Sequence, residues 1–543
     1  MSAHLLSLII LIPIIGSISL LLFKERQTQS IKNVALAFAI LQMIFAVWLV
    51  VVFDVNFGTQ MTDAFQFIEK VNWISMDVGT LGTFNIAYLV GVDGISVWLV
   101  FLTSFIMLIG IIASWKLKQQ VHSYFMLYLL LSGSIVGCFV ALDFFLFYLF
   151  FELMLLPMFF LIGLWGGPRK SYASIKFFIY TLIGSLLILI VMIGLYLSVK
   201  SPDFPEGQIV HTFNLIHMMN PDNFIPGSAL AMDTSWTLFG MPMRWIAFLA
   251  LLLGFAIKLP VVPFHTWLPD AHVEASTPIS VVLAALLLKV GGYGLYRVAF
   301  SIFPEAAVHF GTMIAILGVI SILYGGLNAM AQQDLKRLIA YSSVAHMGFV
   351  LVGLGSLTVE GASGGVFQMI SHGLISAASF LIVGVIYDRT QDRTIENFSG
   401  LATKLPGYTF VVVLVFFASL GLPGLSGFVG ELMVLMGAFQ ANGGQLILPL
   451  WIGGAVIVGI LIASAYYLWV IQRMFFGKYW VREERWLVAM KDLDLREWIL
   501  FTPLIVGIVV LGLYPKVVLD AMGHTMQLFI THVAYYGQLA SQP

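Results

Sequence analysis

Charged side chains are scarce in this chain, and that scarcity decides its solvent. Asp, Glu, Lys and Arg make up 10% of the 543 residues and hydrophobic types 60%, whereas soluble domains are roughly one quarter charged. No segment is long and polar enough to fold as a separate soluble domain. There is one cysteine, Cys138, inside an apolar run, so disulfides, CxxC redox pairs and covalent haem attachment are excluded. No helix offers a histidine pair suited to axial haem ligation, and neither a metal nor a cofactor is expected in this chain. A net charge of −1 lacks the basic surplus that nucleic-acid binding requires.

What is abundant is apolar sequence in runs of 18 or more residues, each able to cross a hydrocarbon core of about 30 Å. The runs predict an all-α polytopic membrane protein of about fourteen transmembrane helices, near 4–23, 33–53, 92–115, 122–141, 143–165, 173–199, 244–268, 277–299, 308–330, 338–357, 364–387, 407–440, 448–475 and 498–519. A tight turn at Leu142 and Asp143 separates the fourth from the fifth. The first run has no basic residue before it and Lys24 and Arg26 after it, the reverse of a secretory signal. It reads as a retained helix entering with its N-terminus outside.

The basic residues test this count, because one misplaced helix would scramble every later loop. Nineteen of the 26 fall in alternate loops: Lys24, Arg26 and Lys32; Lys116 and Lys118; Arg169, Lys170 and Lys176; Lys336 and Arg337; Arg389, Arg393 and Lys404; and Arg473 to Arg496. The opposite loops hold Lys70, Lys200, Arg244, Arg297 and Lys516, with acidic residues such as Asp54, Asp77, Asp203 and Glu206. The pattern predicts a multi-pass membrane protein with both termini on the non-cytoplasmic side. Lys258 and Lys289 remain, inside the membrane.

A faint internal repeat organises the spans. Leu259-Pro260 in the seventh matches Leu422-Pro423 in the twelfth, and Arg297-Val-Ala-Phe300 closing the eighth matches Arg473-Met-Phe-Phe476 closing the thirteenth. An offset of five spans is odd, so the halves run oppositely through the bilayer. The expected division is one membrane domain, 1–543: an N-terminal three-helix segment at 1–121, inverted repeats at 122–303 and 304–480, and an amphipathic connection with the last span at 481–543. Inverted repeats with paired interrupted helices are transporter architecture, with ion sites at the breaks. Pro260, Pro263 and Pro269, and then Pro423, Gly424 and Gly427, supply those breaks. A packing kink would explain either one alone.

Four ionisable residues then fall at mid-bilayer depth: Glu152, Lys258, Lys289 and Glu431. Each would cost roughly 2.5 to 3.5 kcal/mol if it faced lipid, so all should face the protein interior. A lysine whose carboxylate partner moves can bind and release a proton; a static Glu152–Lys258 pair gluing helices together is the competing reading. His265, His272, His346 and His372 add groups that titrate near neutrality, and His346 and His372 lie between Lys289 and Glu431 in chain order. Asp270 and Glu274 are expected in a cytoplasmic loop, and Asp143 at the opposite surface.

The stretch KLPVVPFHTWLPDAHVEASTP from Lys258 to Pro278, followed by Lys289 and GGYGLYR ending at Arg297, resembles the signature of the antiporter-like subunits of respiratory complex I. Similar sequences occur in Mrp-type cation/proton antiporters and membrane-bound hydrogenases. DLKRLIAYSS from Asp334, His346, and GLPGLSGFVGE ending at Glu431 extend the resemblance over essentially the whole chain. Glu431 is similar to the M-type branch, where L-type, N-type and antiporter relatives usually carry lysine, and the chain ends soon after its last span without the long lateral helix of L-type subunits. The resemblance implies that Glu152 tunes Lys258 as pump lysine, that Lys289 connects, that His346 and His372 relay, and that Glu431 is the terminal carrier. His265, Asp270, Pro260 and Pro423 support them. It further implies that NADH, FMN, iron-sulfur clusters and quinone belong to partner subunits, and that the partners are other complex I membrane subunits, lipids and protons. An Mrp-type sodium/proton antiporter and a passive scaffold are the rival readings.

Overall fold

The computed structural model describes residues 4–77, 83–204, 210–442 and 445–539; Glu206 lies outside them. Backbone amides and carbonyls in hydrocarbon must be satisfied within the segment, which leaves helices as the spanning elements of such apolar runs. They are α1 (Leu5–Leu20), α2 (Thr28–Val52), α3 (Ser96–Ala113), α4 (Val121–Val140), α5 (Phe144–Leu153) running on as α6 (Leu155–Trp165), α7 (Lys170–Ser198), the short α8 (Leu215–Met219), α9 (Met243–Lys258), α10 (Trp267–Glu274) and α11 (Thr277–Val282). The second half continues with α12 (Leu288–Gly294), α13 (Pro304–Met330), α14 (Leu335–Gly355), α15 (Val359–Thr390), α16 (Pro406–Ser419), α17 (Ser426–Ala438), α18 (Leu450–Val470), the short α19 (Trp486–Ala489), α20 (Leu495–Leu513) and α21 (Lys516–Leu539). Among the described residues, eleven helical stretches are long and apolar enough to cross a membrane. The centre of the bundle is the stretch Thr277–Phe300 together with α14 and α15, wrapped by the rest, and α2, α7 and α18 present apolar side chains outward.

Local chemistry sets the boundaries. The expected turn at Leu142 and Asp143 is present: Asp143 caps α5, its carboxylate accepting from the Leu146 amide at 3.1 Å. The seventh expected span divides into α9 and α10, and the twelfth into α16 and α17, around Pro260 and Pro423. A capping box of Asp494 and Glu497 starts α20, and α20 stops at Leu513, ahead of Pro515, rather than reaching residue 519.

Two elements escaped the sequence reading. Residues between the second and third spans form an antiparallel hairpin of β1 (Gln66–Asp77) and β2 (Thr83–Val92). The 24-residue α21 follows the last span, where no helix was expected. Its contacts fall at helix ends and loops on one end of the bundle: the Gly94 amide donates to Thr525 Oγ1 at 3.1 Å, and His524 and His532 ring nitrogens pair with the carbonyls of Gly58 and Ser301, both at 2.9 Å. It lies across that end. The hairpin sits there too, tied by Lys70 to Asp203 at 3.0 Å, an exposed pair in which the ammonium holds the carboxyl below its usual range.

Four basic residues assigned to loops are buried instead, the first of them Lys32, which donates to the Trp115 and Leu117 carbonyls at 2.7 and 2.9 Å. Arg297 is 1% exposed and paired with Asp93, and Arg244 is 3% exposed and bonded to Glu305 at 2.6 Å. Lys336 is buried at the other end, donating to the Ala275 carbonyl. Each lies within a few residues of a helix terminus, where a long side chain reaches an inward partner instead of water.

Candidate functional site

Four of the predicted residues form one buried line across four helices. Lys289 on α12 donates to the Ala284 carbonyl at 2.6 Å and stands 2.7 Å from His372 Nδ1 on α15. The His372 and His346 rings, on α15 and α14, lie with centroids 5.4 Å apart. His346 Nδ1 is 3.6 Å from Glu431 Oε1 on α17. None of the four is more than 4% exposed. The local backbone makes the first contact possible: residues Leu283–Leu287 run as a π-helix, whose wider turn loosens the ladder and leaves the Ala284 carbonyl to the lysine.

The breaks position the ends of this line. At the first, the chain leaves the helix after Lys258, and Trp267 Nε1 donates to the Ile257 carbonyl at 2.9 Å while Ser321 Oγ accepts from the Val262 amide at 3.1 Å. Polar groups released by the break are therefore met by protein. α12 packs directly on it, since a Cβ on Gly291 would stand 2.7 Å from the Leu259 amide nitrogen. At the second, Gly427 lets the start of α17 pack on the end of α16, where a Cβ would collide with the Ala418 carbonyl. The Glu431 carboxylate occupies the space that a side chain on Gly421 would need.

Glu152 and Lys258 stand apart from that line. Lys258, 1% exposed, places its Nζ 4.8 Å from the centroid of the Phe151 ring, and neither Lys258 Nζ nor Glu152 Oε1 has a hydrogen-bond partner among the described residues. The two interact electrostatically, without the closed salt bridge that a static glue would need. The first-half pair is thus held near but not locked.

The supporting residues divide. Asp270 is not a free loop carboxylate: it lies on α10, bonded to Lys176 at 2.7 Å and Arg337 at 3.3 Å. Glu274 is likewise buried, accepting from the Arg169 amide at 2.8 Å, and Asp143 is buried rather than at the surface. His265 packs edge-on to Tyr324 at 5.1 Å. His272, fully buried, stacks on Phe380 at 4.4 Å, and its ring nitrogens have no partner among the described residues. Beyond it a cavity of about 380 Å³ opens at the basic end of the bundle, lined by Lys116, Lys336, Glu274, Asp388, Arg393 and Arg496.

Sequence reasoning missed the polar residues that hold the histidines. Gln368 Nε2 is 3.2 Å from His346 Nδ1 and Ser419 Oγ is 3.3 Å from His346 Nε2; next to His372, Ser371 ties α15 to α17 by donating to Ser426 at 2.8 Å. Uncharged and common, they carry no signal at helical spacing. Among the described residues no group of three or more His, Cys, Asp or Glu could hold a metal ion.

Residues 141–457 match a family model described as NADH:quinone oxidoreductase/Mrp antiporter, TM. The chain is 42% identical over 458 residues to NADH-quinone oxidoreductase subunit M of Rhodobacter capsulatus, covering 84% of this chain and 83% of that one. Its structure is similar to a chain of respiratory complex I from Thermus thermophilus, with a TM-score of 0.79, 26% identity and coverage of 98% and 100%. A chain of the Mrp complex from Dietzia sp. shares the fold, with a TM-score of 0.77 at 20% identity over 98% and 99% of the two chains.

Proposed function

The chain belongs to the NADH:quinone oxidoreductase/Mrp antiporter transmembrane family, and from that premise we infer that it is the M-type membrane-arm subunit of an NADH:quinone oxidoreductase, conducting protons along Lys289, His372, His346 and Glu431. The observation that carries the reading is the contiguity of that line: 2.7 Å from lysine to imidazole, 5.4 Å between rings, and 3.6 Å from imidazole to carboxylate, all out of contact with lipid. Isolated charges at mid-bilayer are expensive; groups that take turns holding one proton are a use that justifies them.

In this reading Glu152 and Lys258 are the moving pair at one end. When the carboxylate approaches, the ammonium is favoured; when it withdraws, Lys258 releases its proton toward Lys289. Matched π-helical ends at Leu295–Phe300 and Ile471–Phe475 support a division into inverted repeats at 122–303 and 304–480. The cavity beside Lys336 is then the cytoplasmic approach. NADH oxidation, flavin, iron-sulfur and quinone chemistry belong to the partner subunits, whose redox reaction supplies the driving force.

Co-purification tests the assignment: this chain should isolate with the NADH-oxidising subunits. Isolation with antiporter subunits alone would transfer the same relay to a sodium/proton exchanger. In the assembled complex, Lys289→Met should abolish proton pumping while NADH oxidation by an artificial acceptor continues. Normal pumping by that variant would refute the relay.

A further inference from the structure

We propose that Tyr467 is a positioning residue for proton transfer at His346, acting through Ser419; the inference rests on the relay reading above. Ser419, the last residue of α16, donates to the Tyr467 hydroxyl on α18 at 2.7 Å, and that hydroxyl pairs with Ser342 Oγ at 2.6 Å. All three residues are at most 2% exposed. Ser342 sits one turn before His346 on α14, so the path from His346 through Ser419, Tyr467 and Ser342 returns to the helix it left. A path that ends on its own helix, among residues buried from solvent, carries no through-current. It fixes a ring.

The ring it fixes has two different sides. The Gln368 amide at 3.2 Å donates to Nδ1, which marks that nitrogen as the acceptor. Neutral His346 then carries its proton on Nε2, donating to Ser419 at 3.3 Å, and the hydroxyl loop extends the direction of donation through Tyr467. Nδ1, whose lone pair takes the Gln368 bond at rest, is also the nitrogen that stands 3.6 Å from Glu431 Oε1. Only this tautomer can take up a relayed proton on Nδ1 and pass it to the Glu431 carboxylate without first giving one up on that side. A hydrogen bond to one imidazole nitrogen setting the role of the other is a general property of histidine. The titratable groups around His346 are Glu431 from α17, His372 from α15, Tyr467 from α18 through Ser419, Tyr466 from α18 through Glu431, and Lys289 from α12 through His372.

The test uses the assembled complex in sealed vesicles, with quinone-coupled proton pumping followed against pH. Tyr467→Phe and Ser419→Ala should each slow pumping roughly tenfold or less, the scale of one hydrogen bond, and displace the pH–rate profile. The double variant should be no slower than the worse single, and Ser419→Thr, which keeps the hydroxyl, should restore the rate. Tyr408→Phe is the control, since its buried hydroxyl donates only to the Ile382 carbonyl at 2.8 Å and lies off the relay. Tyr467→Phe with unchanged rate and profile, or losses equal to those of Tyr408→Phe, or additive losses in the double variant, would overturn the proposal. If Glu431→Gln also pumped normally, the relay itself would fall; if Glu431→Gln stopped pumping, only the positioning role would.

Discussion

Shortening or neutralising Glu431 separates a proton carrier from a structural carboxylate. Its Oε1 stands 3.6 Å from His346 Nδ1. Glu431→Asp withdraws the carboxylate by one carbon–carbon bond, about 1.5 Å, opening the gap to about 5 Å. One water bridges that distance with two hydrogen bonds of ~2.8 Å each, so the shorter acid should pump at a rate reduced several-fold. Glu431→Gln keeps the length and volume and still hydrogen-bonds, yet cannot take a proton, so it should fall at least tenfold, about 1.4 kcal/mol in barrier. Glu431→Ala should match it. The assay is proton uptake into sealed vesicles during NADH-driven quinone reduction, with assembly checked by NADH oxidation through an artificial acceptor. Full pumping by Glu431→Gln would refute the reasoning, because the side chain would then matter only for its shape.

Other expectations follow from the same geometry. Arg297→Ala leaves Asp93 buried with only its own helix-start bonds, from the Ile95 amide at 3.1 Å and Ser96 at 3.0 Å; the loss of a buried partner should cost roughly 3 to 5 kcal/mol, read as a shortened half-life of the assembled complex on heating. Lys70→Ala cuts the exposed tether to Asp203 and should cost about 1 kcal/mol or less; because the Asp203 carboxyl is held below its usual range, even that contribution is present at neutral pH and disappears as acidification protonates it. Gly427→Ala drives a methyl into the Ala418 carbonyl and should prevent assembly, visible as loss of the subunit from purified complex. Lys258→Met and Glu152→Gln should slow pumping equally, with the double variant no slower than either; additive losses would mean that the two act separately.

The site was legible where burial makes a residue type rare. Lys258, Lys289 and Glu431 announce themselves because an ammonium or carboxylate at mid-bilayer has few reasons to be there, and His346 and His372 gain meaning by lying between them. Ser419, Gln368 and Tyr467 could not be read, since their roles depend on which faces of α14, α15, α16 and α18 meet. Arg244 and Arg297 were misread as loop residues because their carboxylates lie 61 and 204 positions away in the chain. The helical fold followed from runs of apolar residues, but α21 did not: its polar residues dilute the run, because it lies across an end of the bundle instead of spanning. The β1–β2 hairpin was masked by its charges, Glu69, Lys70 and Asp77, which read as a solvated loop.

The first break also bears on the sign of the charge at the lysine end of the proposed relay. Lys258 is the last residue of α9, where the carbonyl end of a half-helix favours a cation; Glu431 lies past the first turn of α17, which starts at Ser426, beyond the reach of the amide end. The half-helix end therefore favours the charge on Lys258, and Glu431 relies on its side-chain neighbours. Glu431 is furthermore in contact with a histidine held by a closed hydrogen-bond loop, while Lys258 faces the Phe151 ring and an unbonded carboxylate oxygen. A cation over an aromatic face gains about 2 kcal/mol when desolvated, less than the several kcal/mol that removing an ion from water costs. In the proposed relay, the Lys258 end is thus the one whose charges have most to gain by moving, and the Glu431 end the one that would receive what moves.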